Sequence, residues 1–161
     1  MALSINDLDV RQALAYALRL LSVREHCQHE MVRKLRQHEY AHEVITQVLD
    51  YLVSNDCLSE ARYAESFMRM RLQRGDTPWL AAQKMRERGC QEQVIVQALQ
   101  AVVESFDSLS ACWTCLQKRD PSSQYRSNEK IWRRHVRYLM SKGFSYAVVQ
   151  EAMKQREKEG L

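Results

Sequence analysis

Three segments of this chain follow one pattern at nearly constant spacing, and this constrains the fold more than any other feature. They are Lys34–Tyr40, Lys84–Cys90 and Tyr138–Phe144, and an apolar stretch follows each of them. Adding 50 to the residue numbers takes the first segment onto the second, and adding 54 takes the second onto the third. Such a fixed register identifies a repeat protein. Because stacked repeats build a long exposed surface and not an enclosed pocket, the pattern favours binding to an extended partner.

The apolar residues of each repeat predict amphipathic helices. They recur three and four positions apart, as in Val44, Ile45, Val48 and Leu49, and no long stretch alternates as a half-buried strand does. We therefore predict an all-α fold of three tandem three-helix repeats forming an elongated, curved array. The predicted repeats are 1–55, 56–106 and 107–161, and their helices span about 7–22, 27–38, 41–54, 59–74, 77–88, 91–105, 107–119, 127–142 and 145–158.

Capping residues indicate where several of these helices begin and end. Thr77 precedes Pro78, which suits the first turn of a helix because proline has no amide hydrogen to leave unpaired. Gly89 and Gly143 follow the second helix of their repeats, where glycine adopts left-handed backbone angles at little cost. Glu39 stands at that place in the first repeat, which predicts a strained or differently shaped turn.

The net charge of +4 is unevenly distributed along the chain. Lys and Arg minus Asp and Glu gives −1 for residues 1–55, 0 for residues 56–106 and +5 for residues 107–161. The excess positive charge of the last third indicates contact with a polyanion. A solvated basic face without a partner is the alternative.

The sequence lacks the signatures of nucleotide hydrolysis and of acid–base catalysis. None of the four glycines lies in a G-x-G or G-K-[ST] motif, and no pair of carboxylates stands out. There is no apolar run long enough to span a membrane and no secretory signal at the start. We therefore expect a cytoplasmic protein that is not an enzyme and needs no cofactor and no metal.

Two clusters of cysteine and histidine have both a chemical and a structural interpretation. Cys112 and Cys115 have redox-type spacing, but they fall inside an amphipathic helix without a sheet, which favours buried packing. A zinc site in the first repeat is an alternative to exposed histidines, although its spacing matches no established ligand pattern. The residues of that cluster are His26, Cys27, His29, His38 and His42.

Basic residues on three predicted helices are the best candidates for a binding surface. Cations spaced four apart project from one side of a helix and attract phosphate backbones without reading sequence. Trp132 and Tyr138 lie among the last group, where Trp132 is expected to be a core residue rather than a stacking platform. The candidate contact residues are Arg62, Arg69, Arg71, Arg74, Lys84, Arg86, Arg88, Lys130, Arg133, Arg134 and Arg137.

The motif Leu58–Ala64, with the sequence LSEARYA, resembles the RecX regulatory proteins of bacteria. Arg71, Gly75 and the turn at Lys84–Gly89 follow it in the expected order, and the first repeat agrees with the opening motif of that family. The sequence departs from the family pattern where Asp76 and Thr77 replace a usual second glycine, where Cys27 replaces a common serine cap, and in a loosely matching third repeat.

The resemblance implies a monomeric regulator that binds the RecA recombinase. Such proteins are thought to lie in the deep groove of the RecA–DNA filament and to inhibit strand exchange and ATP turnover, which modulates DNA repair and the SOS response. The candidate cations would then be polar contacts in the groove, and Arg71 and Arg74 are expected to be exposed. The resemblance favours first Arg62, Arg69, Arg71 and Arg74, then Lys84, Arg86 and Arg88, and next Arg133, Arg134 and Arg137.

Two other functions remain open at this point. A helical nucleic-acid-binding module would contact phosphates, and the scarcity of Asn and Gln beside Arg126–Arg137 favours weak, nonspecific DNA binding over sequence readout. An enzyme would need a pocket with convergent ionisable groups, which the sequence does not indicate.

Overall fold

The computed structural model describes the backbone of residues 7–158 and the side chains of residues 7–154. Within this range the chain forms nine α-helices and one 3₁₀ helix and no β-strand, which confirms the all-α prediction. Each predicted helix end lies within two residues of the observed one. The helices are α1 Asp7–Val23, α2 Gln28–Gln37, α3 His42–Ser54, α4 Glu60–Gln73, α5 Pro78–Glu87, α6 Glu92–Val103, α7 Ser108–Arg119, α8 Glu129–Ser141 and α9 Tyr146–Lys158, with the 3₁₀ helix at Gln124–Arg126.

The chain divides into two compact units whose borders run through three helices. Unit 1 contains the residues up to Phe67 together with Lys84–Ala98, and unit 2 contains Met68–Gln83 together with the residues from Leu99 onward. The helices α4, α5 and α6 thus contribute residues to both units. None of the helices in residues 7–158 combines the length and the apolar character that a membrane span needs.

Unit 1 has a core formed by the apolar faces of its first three helices. Ala13 and Ala17 of α1, Met31 and Leu35 of α2, and Leu52 of α3 are fully buried in it. Small alanines on α1 let the neighbouring helices approach closely, and α2 and α3 supply the larger side chains that fill the space. The three-to-four spacing of these residues is the reason that the helices bury one face each.

The carboxylate of Glu60 holds the beginnings of two other helices in unit 1. Its Oε1 accepts a hydrogen bond from the Gln28 amide at 2.5 Å, and its Oε2 accepts from the Gln91 amide at 3.3 Å. The Cys90 thiol donates to the same Oε2 at 3.3 Å. Because the first amides of a helix have no partner within the helix, this one side chain satisfies groups at the starts of both α2 and α6.

The core of unit 2 is formed mainly by its last three helices. Cys112 and Leu116 of α7, Leu139 of α8, and Val149 and Ala152 of α9 have no exposed surface. Cys112 therefore serves as a small apolar residue, as expected from its place on an amphipathic helix. The preceding Asp107 caps α7 by accepting hydrogen bonds from two first-turn amides.

The second helix of each predicted repeat ends in the same left-handed turn. The φ angle is +62° at Glu39, +77° at Gly89 and +96° at Gly143, three residues related by the 50- and 54-residue register. At each turn the amide of the following residue bonds back to the carbonyl five positions earlier, as in a Schellman motif. The carbonyls belong to fully buried residues: Leu35, Met85 and Leu139. The expectation of a differently shaped turn at Glu39 is wrong; the turn is the same, and a residue with a side chain occupies left-handed angles there, which is unfavourable.

Candidate functional site

The predicted contact cations fall into both compact units, and their surroundings differ between the two. Unit 1 contains Arg62, Lys84, Arg86 and Arg88. Unit 2 contains Arg69, Arg71, Arg74, Lys130, Arg133, Arg134 and Arg137. The pairing of each cation with carboxylates decides how much positive charge it presents to a partner.

Arg62 of unit 1 is held by two carboxylates. Its Nε donates to Glu25 Oε1 at 3.0 Å, its Nη1 to Asp56 Oδ1 at 2.9 Å, and its Nη2 to the Asp56 carbonyl at 2.7 Å. These bonds to Glu25 and Asp56 raise the pKa of the guanidinium. Arg62 therefore ties α4 to two loops of unit 1, and its charge is already balanced.

Arg88 and Arg24 together enclose the carboxylate of Glu30, whose side chain is only 3 % exposed. Arg24 Nη1 lies 3.0 Å from Glu30 Oε2, and Arg88 Nη1 lies 3.2 Å from Oε1. Burial opposes ionisation of Glu30, but the hydrogen bond and charge of Arg24 and the charge of Arg88 outweigh it and lower its pKa. The Arg88 guanidinium also lies 4.9 Å above the centre of the Phe67 ring. This cation is part of the framework of unit 1.

Arg86 forms an exposed pair with Glu92, whose Oε1 lies 2.7 Å from Nη2. The hydrogen bonds with Glu92 raise the pKa of Arg86. Lys84, the fourth predicted cation of unit 1, is half-buried. With Arg62, Arg86 and Arg88 neutralised by carboxylates, unit 1 presents less positive charge than the sequence predicts.

Arg71 of unit 2 also has a structural partner, unlike its neighbour Arg74. The Arg71 side chain is 16 % exposed and forms an ion pair with Asp76, whose side chain is 1 % exposed. Lys142 donates to the other oxygen of Asp76 at 3.3 Å and to the Arg74 carbonyl at 2.9 Å. Asp76 thus joins the turn after α4 to the end of α8. The expectation that both arginines are exposed is correct for Arg74 and wrong for Arg71.

Helix α8 presents the exposed cationic row that its spacing predicts. Lys130, Arg134 and Arg137 are exposed, and none of the three has an ion pair within residues 7–154. Arg133 is exposed as well and pairs with Glu129 one turn earlier. The opposite face of α8 carries buried residues, and Trp132 packs against the core of unit 2 as expected. The amphipathic pattern alone therefore places this row towards solvent.

A cleft of about 540 Å³ in unit 2 brings together cations from two elements. Arg74 comes from the end of α4, and Lys118 and Arg119 come from the last turn of α7. The Arg119 guanidinium lies 3.9 Å from the centre of the Tyr138 ring, and Lys142 Nζ lies 5.6 Å from it. Lys118 and Arg119 are not among the predicted contact cations, although two adjacent cations before a helix end are a sequence signal that identifies them.

A smaller cleft of about 330 Å³ shares Arg119 with the first and adds Arg134. His135 lies beside it, almost fully buried, with Nε2 3.3 Å from Asp120 Oδ2. Burial lowers the pKa of His135, and the Asp120 charge opposes this shift only in part. The imidazole is therefore neutral near pH 7, and the positive charge at this cleft comes from the two arginines.

The cysteine and histidine clusters have no feature of a reactive centre. Burial raises the pKa of the Cys112 thiol to about 12 and also raises that of Cys115, which is the opposite of redox activation. The prediction of buried packing is confirmed for Cys112, whereas Cys115 is half-buried and packs at the edge of the unit 2 core. Within the described residues, no three His, Cys, Asp or Glu side chains are grouped so as to hold a metal ion.

Comparisons with known proteins agree on one family. Residues 13–52 match the model of the first three-helix domain of RecX, and residues 107–153 match that of the third. The chain is 32 % identical to the "Regulatory protein RecX" of Actinobacillus pleuropneumoniae over 82 % of this chain and 84 % of that one. It is also 32 % identical to the protein of that name from Ectopseudomonas mendocina, over 89 % of this chain and 92 % of that one.

Solved structures of that family have the same fold. The crystal structure of RecX from Lactobacillus salivarius superposes with a TM-score of 0.69 at 21 % identity, covering 91 % of this chain and 96 % of that one. A second crystal structure, of the regulatory protein RecX, gives a TM-score of 0.71 at 21 % identity, over 91 % of this chain and 73 % of that one.

Proposed function

Because the chain belongs to the RecX family of regulatory proteins, we propose that it binds the RecA recombinase on its DNA filament and inhibits recombination and ATP turnover there. It modulates DNA repair and the SOS response in the cytoplasm through this contact. The relatives are named regulatory proteins, which supports a role without chemistry of its own. We propose the division into three-helix repeats at 55/56 and 106/107 on the same basis, with support from the family models at 13–52 and 107–153.

The observation that supports this function best is the unpaired cationic row of α8. Lys130, Arg134 and Arg137 project to solvent without a carboxylate partner among the described residues. A filament of nucleic acid coated by protein is polyanionic, and it attracts such a row over a distance set by ionic strength. The cations of unit 1 that are paired with carboxylates present no such unbalanced charge. We therefore assign the filament contact first to unit 2, and within it to Arg74, Arg134 and Arg137.

Charge reversal on α8 tests the proposal. We expect the double variant Arg134→Glu and Arg137→Glu to lose co-sedimentation with RecA–DNA filaments and inhibition of RecA ATPase, while its thermal unfolding stays near that of the original protein. The control is Arg33→Glu with Arg36→Glu, which makes an equal change in charge, at the same spacing, on the exposed side of α2. The proposal is wrong if the original protein neither co-sediments with filaments nor lowers the ATPase rate at equimolar amounts.

Direct, nonspecific binding to DNA is the second candidate function, and the same row on α8 supports it. Cations that neutralise phosphates release counterions, so such binding weakens steeply as salt increases and shows no preferred site. Duplex binding without RecA at low salt, abolished by moderate salt, would identify this activity. Binding that persists at moderate salt only when RecA is present would assign the row to the filament.

A further inference from the structure

We propose that the larger cleft of unit 2, lined by Arg74, Lys118 and Arg119, is a binding site for successive phosphate groups. Binding at this site can be measured without the recombinase, since it needs only this chain and a phosphate-bearing ligand. Arg119 and Lys118 are not among the residues that the sequence predicts for partner contact.

The cleft carries positive charge that no carboxylate of the described residues pairs with. Its three cations have no ion pair within residues 7–154, whereas both carboxylates of its lining are already engaged. Asp76 is covered and bonded to Arg71 and Lys142. Asp107 accepts hydrogen bonds from the first-turn amides of α7, at 3.0 and 3.1 Å. Three like charges in one concave site repel each other, and an anion bound between them removes that repulsion.

The ring of Tyr138 orients the guanidinium of Arg119. Its guanidinium lies over the face of Tyr138 at 3.9 Å, which fixes the plane of the group while its N–H donors stay at the edge. Tyr138 lies in the last turn of α8, and Lys142, which directly follows that helix, bonds to Asp76 and to the Arg74 carbonyl. A guanidinium held in this way loses little side-chain entropy when it binds two oxygens of a phosphate.

The size of the cleft and the neighbouring smaller cleft suit a ligand with several phosphate groups. A cleft of about 540 Å³ accommodates a nucleotide or an oligophosphate, and it is too small for a protein helix. The smaller cleft shares Arg119 with it and adds Arg134. A ligand with regularly spaced phosphates can occupy both clefts, so the ligand class is an oligophosphate or the backbone of a nucleic-acid strand.

The site is tested without RecA by isothermal titration calorimetry with tripolyphosphate, in dilute buffer at low salt. We expect saturable binding by the original protein and about tenfold weaker binding by Arg119→Gln, since a charge-assisted contact of this kind is lost. Arg126→Gln is the matched control, because it removes the same charge from unit 2 at an exposed position that lines neither cleft. Equal weakening by Arg119→Gln and Arg126→Gln, or no binding by the original protein, would overturn the proposal.

Three further variants separate a loss of contact from a loss of fold. Tyr138→Phe keeps the ring face beneath Arg119 and retains binding, whereas Tyr138→Leu weakens it several-fold. Arg119→Lys keeps the charge but not the planar group, so its affinity falls between those of Arg119→Gln and the original protein. Circular dichroism on each variant confirms that the helices persist. Unchanged affinity in a folded Tyr138→Leu variant would exclude the positioning role of the ring.

The source of the phosphates is distinguished by a second titration with an eight-residue oligothymidylate and with a polyglutamate peptide of equal charge. Binding to the oligonucleotide, with a salt slope that falls by about 0.7 in Arg119→Gln, assigns a nucleic-acid backbone. Binding to tripolyphosphate alone assigns a free oligophosphate. Equal affinity for polyglutamate would refute a phosphate site, because only a general attraction for anions would remain.

Discussion

Two glutamates of unit 1 allow a direct test of how much a paired carboxylate stabilises this protein. Glu30 and Glu92 each bind an arginine, but the Glu30 side chain is 3 % exposed and that of Glu92 is 58 % exposed. Changing each in turn to Gln removes one negative charge and keeps the size of the side chain. We expect Glu30→Gln to lower the free energy of unfolding substantially and Glu92→Gln to leave it without measurable change.

The magnitude for Glu30 follows from its two guanidinium partners. Arg24 donates to both of its oxygens, at 3.0 and 3.3 Å, and Arg88 donates at 3.2 Å. In Glu30→Gln the new amide group donates where a guanidinium also donates, so one of these contacts is lost and both arginines lose their counter-charge. Breaking a fully buried pair costs about 3–5 kcal/mol. Arg24 and Arg88 are nearly half exposed, so water recovers part of this and we expect about 2–3 kcal/mol.

Urea unfolding at several pH values checks this expectation. The pKa of Glu30 is lowered in the folded protein, so its ionic contribution is complete above the pKa of the unfolded carboxyl and is lost as pH falls through the folded value. The difference between the original protein and Glu30→Gln should therefore be largest near pH 7 and shrink below about pH 4. Equal stabilities of the two variants at pH 7, or a difference that persists unchanged at pH 3, would refute the role assigned to burial.

Three further predictions concern turns, exposure and thiols. Gly143→Ala should lower the free energy of unfolding by about 2 kcal/mol, because a side chain at left-handed angles is strained, and Glu39→Gly at the matching turn should raise it by about 0.5–1 kcal/mol. In urea titrations Arg71→Glu should destabilise by about 3 kcal/mol and Arg74→Glu by at most about 0.5 kcal/mol. The Cys112 thiol should be labelled by iodoacetamide only after unfolding, as read by mass spectrometry.

The helices and their turns could be predicted from the sequence because both depend on local residues. Apolar side chains three and four residues apart determine which face of a helix is buried. This pattern can be read from residues that are close together in the sequence. The turns at Gly89 and Gly143 are likewise set by a single residue that accepts positive φ. The 3₁₀ helix was not predicted, since it depends on Asp120 accepting the amides of Gln124 and Tyr125.

The pairing of the cations could not be predicted because it depends on residues far apart in the sequence. Arg62 binds Glu25, which is 37 residues away, and Arg88 binds Glu30, which is 58 residues away. Lys142 reaches Asp76 over 66 residues. Helical spacing identifies cations on a polar face, but only the packing of the helices brings a carboxylate to them. The exposure of Arg134 and Arg137 on α8 was predicted correctly, because the exposed face of a helix follows from its own sequence and does not depend on a distant carboxylate.

The motif that identifies the family in this sequence is structural, which changes where a binding surface should be sought. Glu60 holds the starts of two helices, Arg62 binds two carboxylates, and Tyr63 is buried. Their polar groups and ring are already engaged within unit 1, which leaves them little capacity for contacts with a partner. Arg119 and Arg134 have no carboxylate partner within the described residues, although Arg119 stacks on Tyr138. We therefore propose their surroundings in unit 2 as the first place to seek a partner contact.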